Sequence, residues 1–393
     1  MYGTVADAAL IEAAQRIAPL VRACRDEGER ERRLPAQVLA GMYEARLFRM
    51  YIPEALDGLE IDPITSMIIV EEIARADAAA AWNLMLGATY GLWAAFLPAH
   101  AAREIYGAPD AIVAGALRPS GRARLVDGGF VVDGRWSFAS GIRHSAWWNA
   151  GCLVVRDGSS DRDVTRPPAP EPWLVFFPAV DGELIDNWDV SGLRGTGSHD
   201  YAVSGLFVPQ ARAIPFNAPP RAPGPLYRLP RQALLDNTMA ALPLGIARTA
   251  IGTLVETAAS GKRPAGAGAP LAERTTIQAD VARAETLYFS GRSFLYDSVT
   301  QSWEAYRRGR KLSVREVVLL RLARTHAVQA AVQAVDLMYT DAGGAAIYTR
   351  NPLERCFRDI HAVTQHVSMN PANYEVSGRV LLGLDPDRAL YRL

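Results

Sequence analysis

The sequence predicts an α+β chain, mostly α: an N-terminal helical domain over residues 1–110, a small central β-barrel over 111–216 and a C-terminal four-helix bundle over 217–393. Three observations carry this prediction. Apolar residues recur at helical spacing in the first quarter and again in the last two fifths of the chain, whereas between Ala111 and Val208 the period falls to two. Residues 217–230 are dense in proline and mark the second boundary. Runs of one element type followed by runs of another mean segregated domains and not an alternating α/β sheet.

Taken in order, Asp7–Glu29 places Ile11, Ala14, Ile17, Leu20, Val21 and Cys24 on one helical face, and Pro35–Arg46 repeats the pattern with Val38, Leu39 and Met42. After a loop over Pro53–Pro63, a helix starting near Thr65 or Ser66 is predicted to run on through the alanine-rich segment 78–97. That segment has the length of a bilayer span, but Asn83, Gly87, Thr89 and Gly91 and the lack of basic flanks predict a buried core helix. Strands follow at 112–117, 122–125, 130–132, 135–138, 148–155, 173–177, 183–185 and 201–208, with a hairpin turn at Asp133-Gly134 and a solvent loop over 159–172. Four long helices, 232–260, 271–307, 314–342 and 352–382, complete the chain as a bundle.

Composition narrows the partners. Lysine plus arginine equals aspartate plus glutamate, 42 against 42, so no global field draws the protein to nucleic acid or a membrane surface, and a small neutral substrate is the first expectation. The three cysteines, Cys24, Cys152 and Cys356, are far apart and in no zinc-ligand spacing, which fits inert thiols in a reducing cytoplasm. The start of the chain runs straight into a helical pattern, which predicts that the protein is not secreted. Gly192-Leu193-Arg194-Gly195-Thr196-Gly197 has its glycines in the wrong order for a dinucleotide fingerprint and leads into a strand. Gly261-Lys262-Arg263 lacks the rest of a P-loop, the six histidines do not pair at i, i+4 for a metal, and no Gly-x-Ser-x-Gly occurs.

Three blocks in order carry a resemblance. They are Gly134-Arg135-Trp136-Ser137-Phe138-Ala139-Ser140-Gly141, then Gly192-Leu193-Arg194-Gly195-Thr196 with a strand ending Val208-Pro209, then Gly343-Gly344 with Pro352-Leu353-Glu354-Arg355-Cys356-Phe357-Arg358-Asp359. Together they resemble the acyl-CoA dehydrogenase superfamily over nearly the whole chain, which implies that fold. The third block continues through His361 to Gln365-His366-Val367, so Val367 stands where the commonest dehydrogenases place their glutamate base. Without a carboxylate, α-proton abstraction loses its base, Glu256 being a conceivable substitute. The continuation is similar to the two-component flavin-dependent monooxygenases.

That resemblance implies an oxygenase component fed with reduced FMN, or reduced FAD, by a separate NAD(P)H-dependent flavin reductase, reacting with O2 to a C4a-hydroperoxyflavin and oxygenating a small aromatic or heterocyclic substrate. It implies Ser140 at the flavin N5 edge, Trp136 and Phe138 against the ring with Trp188 a further neighbour, and Arg263 on a flavin phosphate, often that of an adjoining subunit in a homotetramer. It implies a catalytic His366 on the last long helix. Tyr90, Trp93 and Phe96 on the apolar helix and Met338 near the Gly-Gly loop are the candidates for an aromatic-lined substrate pocket. The alternatives are an FAD-dependent acyl-CoA dehydrogenase and a non-catalytic binding protein on the same scaffold.

Overall fold

The computed structural model describes residues 7–155, 171–263 and 269–385. The first part is helical: α1 (Ala8–Glu31), α2 (Ala36–Glu44), α3 (Pro63–Ala76), α4 (Ala78–Gly91) and α5 (Ala99–Tyr106). Caps set the boundaries. Asp7 accepts the Leu10 N–H, and Asp62 accepts those of Ile64 and Thr65 with Pro63 in the first turn. The expected continuous helix through the alanine-rich segment is two helices. Asp77, extended at φ −158°, ends α3, and its carboxylate accepts the Ala80 N–H to start α4. Every residue of α4 is buried, as an all-round apolar helix must be, and it packs on the bundle and on the first strand.

Seven strands follow: β1 (Val113–Val126), β2 (Gly129–Ala139), β3 (Trp147–Val155), β4 (Glu171–Pro178), β5 (Glu183–Ile185), β6 (His199–Pro209) and β7 (Ala213–Pro215), in the sheet order β5-β6-β2-β1-β3-β4-β7. β1 and β3 pair in parallel and the other neighbours are antiparallel. The sheet curls strongly. Tyr201 on β6 lies 6.5 Å from Phe177 on β4 although three strands separate them in the ladder, so the curled face encloses a barrel core of Trp136, Trp148, Phe177 and Tyr201.

The hairpin predicted at Asp133-Gly134 falls elsewhere. The turn is at Asp127-Gly128, with Gly128 at φ 76°, and β2 runs unbroken through Asp133. Its register on β6 shifts between Val132 and Gly134, and Asp133 Oδ1 accepts the Gly205 N–H at 2.7 Å. Asp-Gly here makes a β-bulge, the competing use of the same residues. Of the loop expected over 159–172, residues 159–170 lie outside the described ones, and Glu171 and Pro172 already belong to β4.

The bundle comprises α6 (Arg231–Ala259), α7 (Thr275–Arg307), α8 (Val314–Ala342), α9 (Pro352–Val363) and α10 (Asn373–Leu381). The fourth predicted helix is thus broken. Its chain leaves α9 at Thr364, makes a 3-10 turn at Val367–Met369, and is extended at Asn370 (φ −65°, ψ 130°), as the residue before Pro371 prefers. Among the described residues α6 alone is long and apolar enough to cross a membrane, and 72% of its apolar window is buried within the protein. Glu71 on α3 fastens the first helices to the bundle: it accepts from Tyr288 (2.8 Å), Arg292 (2.9 Å) and Tyr296 (2.6 Å) on α7.

Candidate flavin and substrate site

At the end of β2 a second bulge re-aims the chain. The register on β6 shifts again between Trp136 and Ala139, and Phe138 adopts φ 66°. Its ring turns out of the sheet, 71% exposed, and stands edge-on to Trp188 with centroids 6.2 Å apart. Trp188 is held by its indole N–H on the Leu193 carbonyl.

Ser140, two residues on, is buried inside a chain of hydroxyls. Trp82 Nε1–H donates to Ser140 Oγ at 3.0 Å, Ser140 Oγ lies 2.6 Å from Ser198 Oγ, and Ser198 Oγ lies 2.6 Å from Thr196 Oγ1. Thr196 donates to the Leu193 carbonyl at 2.9 Å. The turn that supplies Thr196 and Ser198 needs two left-handed residues, Leu193 (φ 54°) and Gly197 (φ 52°). A Cβ at Gly197 would lie 2.1 Å from the Arg32 carbonyl oxygen, so glycine is required there on two counts. The Leu193 N–H is gripped at 2.7 Å by Asp359 Oδ1, a buried carboxylate of α9. Burial, then the neighbouring Asp77, pushes the Asp359 carboxyl up to about 7 against the pull of this hydrogen bond.

His366 closes the site from the bundle side. It sits just past α9, not on a helix as expected, and its ring meets Trp82 edge-on at 5.9 Å. Nδ1 accepts the Ser368 N–H at 3.2 Å, which leaves the proton of the neutral ring on Nε2. Burial lowers the His366 pKa, opposed by Asp236 on α6, so the ring is neutral at pH 7.

The other expected site residues fall in different places. Trp136 is sealed in the barrel core, stacked on Tyr201 at 5.1 Å and donating to the Gly151 carbonyl, so it has no face for a cofactor. Tyr90 is buried about 12 Å along α4 from Trp82, its hydroxyl donating to the Gly115 carbonyl at 2.8 Å. Trp93 and Phe96 lie beyond the end of α4, packed together under the Arg231 guanidinium, and Phe96 borders an open cleft of about 620 Å³ shared with Trp173, Ile214 and Pro219. That cleft is remote from Ser140 and His366, whose residues do not line it. Met338 is fully buried in the bundle core on α8. These four apolar side chains satisfy the core, which is what a helical apolar stripe ordinarily does. Arg263 is exposed past the far end of α6, roughly 35 Å along that helix from Asp236, and cannot reach the Ser140 of its own chain. Glu256 is exposed near the same end and cannot replace the missing base.

Trp82, Thr196, Ser198, Asn83 and Asp359 were not among the expected site residues. Asn83 donates to the Gly195 carbonyl, while its buried Oδ1 has no hydrogen-bond partner in the protein and lies where a Cβ on Gly141 would meet it at 3.4 Å. An exposed ring at Phe138, a hydroxyl at Ser140 and an unpartnered amide oxygen beside Gly141 fit a flat heteroaromatic group with a polar edge, the form of an isoalloxazine.

Known proteins resemble the chain along nearly its whole length. Family profiles described as acyl-CoA dehydrogenase, N-terminal domain and acyl-CoA dehydrogenase, C-terminal domain match residues 4–104 and 237–371. The chain is 32% identical to the indole-3-acetate monooxygenase of Pseudomonas putida over 93% of this chain and 91% of that one. It superposes on the 3-HSA hydroxylase of Rhodococcus sp. RHA1 with a TM-score of 0.88 at 26% identity (98% and 100% of the chains), and on XiaF from Streptomyces sp. in complex with FADH2 and glycerol with 0.87 at 25% (96% of each). The chain belongs to the acyl-CoA dehydrogenase superfamily. Within it, its place is among the flavin-dependent monooxygenases, as an oxygenase component that works with flavin.

Proposed function

We propose that the site formed by Phe138, Ser140, Trp82 and His366 receives reduced flavin from a separate NAD(P)H-dependent reductase and uses O2 to oxygenate a small planar aromatic or heterocyclic substrate. The observation that carries this reading is that a buried hydroxyl, Ser140, and a neutral imidazole, His366, both lie against Trp82, with an outward-turned aromatic, Phe138, two residues from that hydroxyl. When bound, the reduced flavin would supply the two electrons that activate O2, which provides the transferred oxygen. The chain's own residues do the rest. Phe138 and Trp188 would pack on the ring system and Ser140 would meet its N5 edge. Trp82 and the apolar α4 behind it keep water from the reacting face, which limits loss of oxygen as peroxide.

His366 acts as a hydrogen-bond donor through Nε2, since Nδ1 is occupied by Ser368. It orients the substrate's polar substituent, or protonates the oxygen left behind. Reduced FMN is the first choice and reduced FAD the second. Residues 264–268, which follow Arg263, lie outside the described ones. The remoteness of Arg263 from its own Ser140 supports a homotetramer in which this arginine serves a neighbour's phosphate. Three buried cysteines with no disulfide among them support a cytoplasmic setting. The relative that acts on indole-3-acetate makes indoles and phenols the first substrates to try.

The test is rapid mixing of the protein and reduced FMN with oxygenated buffer, with and without an indole or a phenol, followed by absorbance and by mass analysis of products. Slow flavin oxidation, hastened by one of these compounds and yielding its oxygenated form, is the expected result. Immediate release of free flavin and peroxide, with tightly held FAD bleached by an acyl-CoA, would replace this reading with a dehydrogenase.

A further inference from the structure

The hydroxyl chain behind Ser140 has a direction. It ends at the Leu193 carbonyl, an oxygen that cannot donate, which also takes the Thr196 N–H and the Trp188 indole N–H. The Thr196 hydroxyl proton therefore points to Leu193 at 2.9 Å, since the opposite orientation would set two oxygen lone pairs against each other at that distance. With its proton committed, Thr196 can only accept from Ser198, 2.6 Å away. Ser198, its proton committed in turn, can only accept from Ser140, also at 2.6 Å. At the other end Trp82 Nε1–H, a donor and nothing else, fills one lone pair of Ser140 Oγ at 3.0 Å. The Ser140 hydroxyl thus has its proton turned into the protein and one lone pair left over. Toward a ligand it is an acceptor.

Reduced flavin carries a hydrogen on N5, and oxidised flavin carries a lone pair there. Resting on the reading that Ser140 meets the N5 edge, we propose that Thr196 and Ser198 are positioning residues that fix Ser140 as an acceptor and so make the site select reduced over oxidised flavin. Three buried hydroxyls in series do this without any charge. The reductase's product is retained, and the spent oxidised flavin, whose N5 would face a lone pair, is released. The chain is anchored from outside the sheet, because the left-handed Leu193 that presents the terminal carbonyl is itself held by Asp359 of α9.

The experiment measures dissociation constants of dithionite-reduced FMN, under anaerobic conditions, and of oxidised FMN for the full-length protein, together with the midpoint potential of the bound flavin. The parent is expected to bind the reduced form at least tenfold more tightly, which raises the potential by about 30 mV for a two-electron couple. Ser198→Ala frees the Ser140 proton to turn outward, and Thr196→Val frees that of Ser198 to turn toward Ser140. Both should cut the ratio of the two constants at least fivefold, mainly by tightening oxidised FMN, a gain that damage to the fold would not produce. Thr196→Ser keeps the hydroxyl and should restore the parent ratio. A parent with a ratio near one, or Ser198→Ala and Thr196→Val variants that keep the parent ratio while Ser140→Ala abolishes it, would overturn the inference and leave Ser140 on the flavin. If Ser140→Ala also leaves both constants unchanged, the placement of the flavin at this site has failed, and the inference with it.

Discussion

Trp136 and Phe138 are two residues apart on one strand and should share a face, yet one is 1% exposed and the other 71%. The difference is the bulge between them. Up to Trp136 the strand keeps its alternation and feeds the barrel core; past it, Phe138 is left-handed and its own ring turns to the outside, while Ala139 is again buried. A non-glycine residue in that conformation costs of order 1 kcal/mol or more. Stability and recognition are thus separated by a single irregular step in the backbone.

Mutations on either side can break this division or sharpen it. The largest effect is expected on the recognition side but away from the strand. His366→Ala should lower product formation by about 10²–10⁴-fold, the usual worth of a positioned proton donor, with flavin affinity and thermal midpoint nearly unchanged. Equal loss of flavin binding would make His366 a cofactor ligand instead. Trp136→Ala should destabilise the protein by about 3–5 kcal/mol in denaturant unfolding, as large core aromatics do, while FMN titration of the folded protein stays near the parent value. Phe138→Gly should do the reverse, raising stability by about 1 kcal/mol through relief of the left-handed strain and weakening reduced FMN by roughly tenfold. If Phe138→Gly instead destabilises, the exposed ring has a packing role and the contrast collapses.

The smallest effect tests the brace between the two sides. The Asp359 carboxyl is raised in the folded protein to about 7, so its contribution to stability is fully present below the ordinary carboxylate range, about pH 4, and is lost as pH rises through 7. Glu29 and Arg25 from α1, Arg194 from the Leu193 turn, Arg355 and Arg358 from α9, and Asp77 are the charges around it. Asp359→Asn should flatten the decline in unfolding free energy between about pH 4 and 7. An unchanged slope would show that another group titrates there.

Much of this was legible in the residues. The change of period at Ala111 marked the sheet, and the family resemblance pointed to Ser140 and His366, which the fold sets against Trp82, and to Phe138 and Trp188, which it sets edge-on to each other. What stayed hidden had local rivals. Asp133-Gly134 suits a two-residue turn as well as it suits a bulge, and only pairing with β6 decides between them. Trp82 sits in an alanine-rich helix where any aromatic reads as core, and its indole N–H matters only because Ser140, 58 positions later, lies against it. Ser198 follows a glycine in a turn, where serine needs no further explanation. Tyr90, Trp93 and Phe96 had the right chemistry on the same apolar segment but fall one or more turns too far along it.

The bond from Leu193 to Asp359 spans 166 residues. At ribosomal rates of roughly 5–20 residues per second, the sheet turn that carries Thr196 and Ser198 waits on the order of ten to thirty seconds for the carboxylate that holds it. During synthesis the β-domain therefore emerges with the Leu193 turn unbraced. If flavin binds at this turn, its loading is expected only once α9 has been made.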